Sequence, residues 1–132
     1  FVLEPLECDL EESESNDTVA TSEALVVGDT ACGILDPAAD VDTYSFVAAP
    51  GVTYVFEILA ARLGAPTDTT LTLLAPSGDQ LAFDDDGSGS FDSLLSWTSG
   101  GTGNVYIQVA SFNNNSGGPD HSYQLQSSFS VP

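Results

Sequence analysis

Apolar and polar residues alternate over short stretches along most of the chain. Tyr44, Phe46 and Ala48 form one set, Tyr54, Phe56 and Ile58 a second, and Leu71 with Leu73 a third. Val105, Ile107 and Val109 face one way while Tyr106 and Gln108 face the other. Leu81 with Phe83, then Leu94, Leu95 and Trp97, then Tyr123, Leu125, Ser127 and Phe129 complete the series. A period of two sends successive side chains to opposite faces, as in a half-buried strand. Turn formers separate the sets: Gly28-Asp29, Pro50-Gly51, Pro76-Ser77-Gly78-Asp79 and Gly100 to Gly103. Glycine and proline supply the backbone angles that such turns need. No helical periodicity lasts three turns. Many short strands joined by tight turns predict an all-β fold, an antiparallel β-sandwich of jelly-roll type.

The start of the chain is different. Residues 1–11 read as an acidic N-terminal arm with an apolar beginning, Phe1, Val2, Leu3 and Leu6. Residues 12–132 read as one sandwich domain, with Ala24 to Val27 as a first short strand and Gly33 to Leu35 as the next. A length of 132 residues suits a single modest core. The chain opens on Phe1 with no initiator Met and no tag, which reads as a processed, secreted form.

Charge narrows the partners. Twenty acids stand against one base, Arg62, for a formal net charge of −19. Nucleic acid and anionic membranes attract Lys and Arg, so both are excluded as partners. No apolar run approaches the length of a membrane span. The remaining partners are cations, cationic surfaces, extracellular matrix or polysaccharide, and further copies of the chain. A purely solubilising role for most surface acids is the plain alternative. The two cysteines, Cys8 and Cys32, suit a disulfide in an oxidising compartment, with two unrelated thiols as the other reading.

Two acidic segments carry candidate chemistry. Glu12, Glu14, Asn16 and Asp17 precede the sandwich, and Asp40 and Asp42 open the Tyr44–Phe46 strand. Clustered hard oxygen donors with almost no basic residues nearby point to a cation such as calcium, which takes six to eight oxygen ligands. A solvated acidic segment with a helix cap is the alternative. A second loop runs Asp84-Asp85-Asp86-Gly87-Ser88-Gly89. Its spacing begins like a calcium loop, but Leu95 stands where a bidentate Glu belongs. It reads first as a solvated turn, and second as a metal loop using Asp68, Asp84 and Asp86, with Asp92 nearby. The sequons Asn16-Asp17-Thr18 and Asn114-Asn115-Ser116 are candidate glycan sites, Asn114 being the better placed.

Catalysis finds little support. His121 is the only histidine and follows Asp120 in a polar turn. HExxH and G-x-S-x-G are both absent, and Asp68-Thr69-Thr70 lacks the Gly of an aspartic-protease motif. The chain reads as a non-enzyme. Trp97, Tyr106 and Tyr123 could line a binding surface, though core packing suits alternating aromatics better.

Taken in order, these motifs resemble the bacterial pre-peptidase C-terminal domain family, secreted β-sandwich modules that include the collagen-binding domains of clostridial collagenases. The resemblance rests on Glu12-x-Glu14-x-Asn16-Asp17, Gly33-Ile34, Asp40-Val41-Asp42-x-Tyr44-x-Phe46 and Asp68-Thr69-x-Leu71-x-Leu73. It continues through Gly78-x-x-Leu81-Ala82-x-Asp84-Asp85, Gly103-x-Val105-Tyr106-Ile107-x-Val109 and Tyr123-x-Leu125. It implies calcium ligation by Glu12, Glu14, Asn16, Asp17 and Asp42, with Asp40 nearby and help from backbone oxygens around Gly33. Members with paired calcium ions place an acid three residues before the last Asp of the turn, where this chain has Ala39. Either Asp40 substitutes or one ion is held. Phe1 to Glu11 and the cysteine pair lie outside the resemblance. Two functions follow as expectations. One is a calcium-binding structural or adhesive module that assembles with itself through Phe1, Val2, Leu3 and Leu6. The other is a collagen- or polysaccharide-binding appendage of a secreted hydrolase.

Overall fold

The computed structural model describes residues 7–13, 16–85, 87, 91–112 and 117–131. Ten strands are present among them: β1 (Leu10–Glu11), β2 (Glu23–Ala24), β3 (Thr30–Ile34), β4 (Val41–Ala48), β5 (Thr53–Leu59), β6 (Thr69–Leu74), β7 (Gln80–Asp84), β8 (Leu94–Thr98), β9 (Gly103–Ser111) and β10 (Ser122–Ser130). They form two five-stranded sheets, ordered β1-β3-β10-β5-β8 and β2-β4-β9-β6-β7. All the predicted strands from Tyr44 onward exist, and the fold is a β-sandwich.

Alternation accounts for the core. In β4, Asp42, Tyr44, Phe46 and Ala48 point inward and are buried. Leu71, Leu73, Ile107 and Val109 extend this inner face across the same sheet, and Phe56, Ile58 and Leu125 meet it from the other sheet. Phe46 packs its ring against Tyr54 and Phe56, with centroids 5.1 and 5.2 Å apart. Each such side chain contributes about 1.5–3 kcal/mol when fully buried. Tyr123 belongs to this interior, while Tyr106 and Trp97 are half-buried and Trp97 stacks on Tyr54.

The N-terminal segment departs from the antiparallel plan. β1 lies parallel to β3, and β2 lies parallel to β4, so one short strand is added to each sheet. Residues 7–11 thereby run along the sandwich. Cys8 and Cys32 are joined by a disulfide with Cα atoms 5.7 Å apart. The strand expected over Ala24 to Val27 is shorter and shifted, because the chain leaves the second sheet after Ala24 and crosses to begin β3 at Thr30. Leu25 turns into the core there, Val26 stays exposed, and only an isolated bridge joins Val27 to Asp29.

Arg62 anchors the loop after β5. Its Nε donates to Asp92 Oδ2 at 2.8 Å and its Nη2 to Glu57 Oε2 at 2.9 Å. Asp92 is fully buried and also accepts from the backbone N–H groups of Ala60, Ala61 and Arg62. The acidic turn before β4 holds Ala39 at φ 73°, a left-handed angle that a non-glycine residue seldom adopts.

Candidate metal centre

β1, the segment from Asn16 to β2, and the start of β4 converge at one end of the sandwich. Thr43 N–H donates to the Asn16 carbonyl at 2.8 Å, which lays the Asn16 segment along the edge of β4. Asn16 is then fully buried although it is polar. Its Nδ2 donates to Glu23 Oε1 at 2.9 Å and to Glu12 Oε2 at 3.3 Å. Glu23 Oε1 also accepts from the Ser13 amide at 2.6 Å. One amide therefore gathers two carboxylates from separate elements.

Asp42 enters from the sandwich interior. Its Oδ2 accepts from the Tyr123 hydroxyl at 2.6 Å, and that hydroxyl stands 2.6 Å from Tyr44 Oη. Gly33 makes this possible. It faces Tyr123 across β3 and β10, and a Cβ there would collide with the Tyr123 hydroxyl and ring. Burial, followed by the neighbouring Glu12 carboxyl, pushes the Asp42 pKa up to about 10; the Tyr123 hydrogen bond acts the other way. Burial also raises the hydroxyl pKa values of Tyr123 and Tyr44, so both remain protonated and able to donate.

Two buried oxygens, Asn16 Oδ1 and Asp42 Oδ1, accept no hydrogen bond among the described residues, although the Asp42 carboxyl also meets that of Glu12. An unmade hydrogen bond at a buried polar atom costs about 1–3 kcal/mol. The two atoms sit in a site whose other groups, the Glu12 and Glu23 carboxylates, are also hard oxygen donors. That chemistry fits a hard cation better than zinc or copper, which favour nitrogen and sulfur. Among the described residues, no three or more Asp, Glu, His or Cys side chains stand close enough to form a finished metal cage. Glu14 lies outside the described residues.

The other candidates sit as follows. Asp40 is buried in the turn before β4 and its Oδ2 accepts from the Asp36 amide at 3.2 Å. Asp17 is exposed beside Asn16. In the second acidic loop, Asp84 Oδ2 accepts from the amides of Gly87 and Leu94, both at 2.8 Å, so it closes the turn onto β8. Asp68 and Asp85 flank that turn: the Asp68 carbonyl accepts from Phe112 N–H, and the Asp85 carbonyl from Ser93 Oγ. Asp86 and Asn114 lie outside the described residues, as do Phe1, Val2, Leu3 and Leu6. His121 Nδ1 is 3.0 Å from Asp120 Oδ1, but that Asp is three-quarters exposed, unlike the buried orienting acid of a catalytic triad. Burial of Asn16 leaves no room for a glycan on it.

Glu23 and the Tyr44–Tyr123 pair were not foreseen as members of this site. Glu23 follows no motif, and its role depends on β2 joining β4. For Tyr123 the available signal was a tyrosine at an inward position, which needs a partner for its hydroxyl.

No family profile matches the sequence, and no curated protein does. Solved structures match in fold. The pre-peptidase C-terminal domain of collagenase from Bacillus anthracis is 17% identical with a TM-score of 0.61, covering 80% of this chain and 93% of that one. PliG of Aeromonas hydrophila, a periplasmic inhibitor of g-type lysozyme, is 16% identical with a TM-score of 0.65, covering 83% and 96%. The chain thus shares its β-sandwich fold with both, and the first is of the kind that the motif order suggested.

Proposed function

We propose that this chain is a non-catalytic, secreted, calcium-binding β-sandwich with a structural or adhesive role, assembling with itself through its N-terminal arm. The observation that carries the calcium reading is the pair of buried oxygens that accept no hydrogen bond, Asn16 Oδ1 and Asp42 Oδ1, with the Glu12 carboxyl beside Asp42. Glu12, Asn16 and Asp42 would hold the ion, with Glu14 and Glu23 as further donors and Asp17 and Asp40 at its margin. The ion supplies positive charge that offsets carboxylate repulsion and fixes the path from β1 to β2. Tyr123 holds Asp42 in place, and Asn16 spans Glu12 and Glu23.

The disulfide supports an oxidising, extracellular setting. Both fold neighbours are non-catalytic sandwiches, one from a collagenase and one periplasmic, which accords with a non-enzyme outside the cytoplasm. The Phe1 to Leu6 segment supports assembly, as a largely apolar sequence attached to a highly charged body. Calorimetric titration of chelator-treated protein tests the calcium reading. Binding heat and a raised melting temperature are expected; neither heat nor shift would overturn it. A site filled at a thousand times its dissociation constant stabilises by about 4 kcal/mol.

The likeness to a collagenase domain favours a second reading, an appendage that binds collagen or polysaccharide. Retention of a monomeric chain on such matrices, with and without chelator, separates the two.

A further inference from the structure

One end of the sandwich lacks a strand. β10 pairs with β3 only as far as Gln126, opposite Thr30, whereas its pairing with β5 continues to Ser130. Ser127 N–H still reaches the Asp29 carbonyl, but beyond it the β3 side of β10 has no ladder partner. By strand alternation, the Phe129 amide and carbonyl face that vacated side. The same happens in the other sheet. β4 pairs with β2 only at Tyr44 and Ser45, and with β9 through to Ala48. Ser45 accepts from Leu25 N–H on its β2 side, so Val47 presents its backbone groups to the same side with no ladder beyond. Both open edges result from the crossing at Leu25 to Asp29, which leaves one sheet and enters the other before either is complete.

Between these edges lies an apolar groove of about 270 Å³ lined by Leu25, Val27, Phe46, Val47, Tyr54 and Phe129. Phe129 is informative. It follows Tyr123, Leu125 and Ser127 on the inward face of β10, and those three are at most 2% exposed. Phe129 is 56% exposed, and Val47 and Val131 nearby are 67% and 72% exposed. An inward-facing aromatic is thus left without a lid.

We infer that this groove is the acceptor for the Phe1–Leu6 segment of a second copy of the chain, which adds as a strand along Ser128–Ser130 of β10. The inference rests on the assembly reading above and identifies the receiving surface. Phe1-Val2-Leu3 alternates in the required way: Phe1 and Leu3 fall on one face to cover Phe129, and Val2 falls on the other beside Ser128. Pro5 carries no N–H and so ends the donated pairing before the segment joins its own domain. Six extended residues span about 20 Å, enough for the open edge plus a short bridge. Backbone pairing supplies affinity and the groove supplies register, as in strand addition generally. A neighbour is the donor for a geometric reason. In its own molecule the arm approaches on the β1 side of β3, where Asp9 N–H bonds the Thr30 carbonyl. Gly28 and Asp29, both bonded to Ser127, stand between it and the open part of β10. Two chains of net charge −19 repel, so calcium or high salt is required for the union.

The test uses variants of the full chain that each add one cysteine to the native Cys8–Cys32 pair, Val2→Cys and Ser128→Cys, the latter at an exposed position. Mixed in calcium under mild oxidation, they should give a crosslinked heterodimer on non-reducing electrophoresis, and each alone should give far less. The single chain carrying both changes should form a ladder of multimers. Deletion of residues 1–6 should abolish polymers in electron micrographs, and the peptide Phe-Val-Leu-Glu-Pro-Leu should bind the deleted chain. A fast-migrating, internally crosslinked monomer of the double variant would show self-insertion and overturn the inference. So would absent crosslinks, or polymers that survive the deletion. Calcium-induced melting shifts recorded on the same deleted chain keep the two claims apart. If shifts persist while crosslinks fail, the groove assignment alone is wrong; if the shifts are absent as well, the calcium reading has failed too.

Discussion

Arg62 Nε lies 2.8 Å from Asp92 Oδ2, and this pair joins the chain's only Lys or Arg side chain to a fully buried carboxylate. Breaking it from the acidic side takes the acceptor from Arg62 Nε and from three backbone N–H groups together, while Arg62 Nη2 keeps Glu57 and the Ile58 carbonyl. Asp92→Ala should therefore cost roughly 3–5 kcal/mol in urea denaturation. Arg62→Ala should cost less, because Arg62 is partly exposed and Asp92 keeps its backbone donors. Neither change should alter the melting shift caused by calcium.

Asp42 sets the pH response of the calcium-free protein. Its pKa rises from 3.8 in the free side chain to about 10 in the fold, so the folded state holds a proton that the unfolded state releases. Its contribution is fully present below pH 3.8 and is lost as pH rises toward 10. Chelated protein should lose melting temperature across that window, and Asp42→Asn should flatten the slope. Calcium bound as proposed would have to displace the Asp42 proton at pH 7. Titration heats should accordingly vary with the ionisation enthalpy of the buffer, and should stop doing so in Asp42→Asn.

Asparagine imitates the neutral Asp42 of the metal-free state. Asp42→Asn should leave chelated protein within about 1 kcal/mol of the parent at neutral pH, since the Tyr123 hydroxyl keeps an acceptor. Its calcium-dependent shift should disappear. Tyr123→Phe removes the hydrogen bond that favours ionised Asp42, so calcium should bind more weakly, by about tenfold for each 1.4 kcal/mol lost. Titrating both variants beside the parent checks this; unchanged affinity in both would remove Asp42 from the site.

Removing the disulfide should be felt globally. Cys8 and Cys32 are separated by 24 residues, and closing such a loop is worth about 3 kcal/mol. The double change Cys8→Ser and Cys32→Ser should lower stability by that order in denaturant. Calcium should recover a part of it by holding β1 and β2 through Glu12 and Asn16.

Strands with a clean period of two were legible in the sequence, because burial of one face leaves its mark at every second residue. Tyr44-x-Phe46-x-Ala48 and Val105-x-Ile107-x-Val109 are such cases. The two-residue strands β1 and β2 were not, since two residues carry no period and their pairing depends on distant partners. The site divides the same way. Glu12, Asn16 and Asp42 stood out as clustered oxygen donors, and the structure brings these three together. Glu23 and Tyr123 join through tertiary contacts that leave no local trace, the latter by packing over Gly33.

The disulfide also sets how tension would travel. A pull entering at Glu7 meets a covalent bond one residue later and passes through sulfur into Cys32, on a strand flanked by β1 and β10. Residues 9–31 become a slack bypass. Glu12, Asn16 and Glu23 all lie within it, so the loop that carries them bears no load while the chain is stretched. A fibre built from such units would transmit force along its sheets and leave the loop bearing Glu12, Asn16 and Glu23 at rest, while Asp42, in β4, stays on the loaded path.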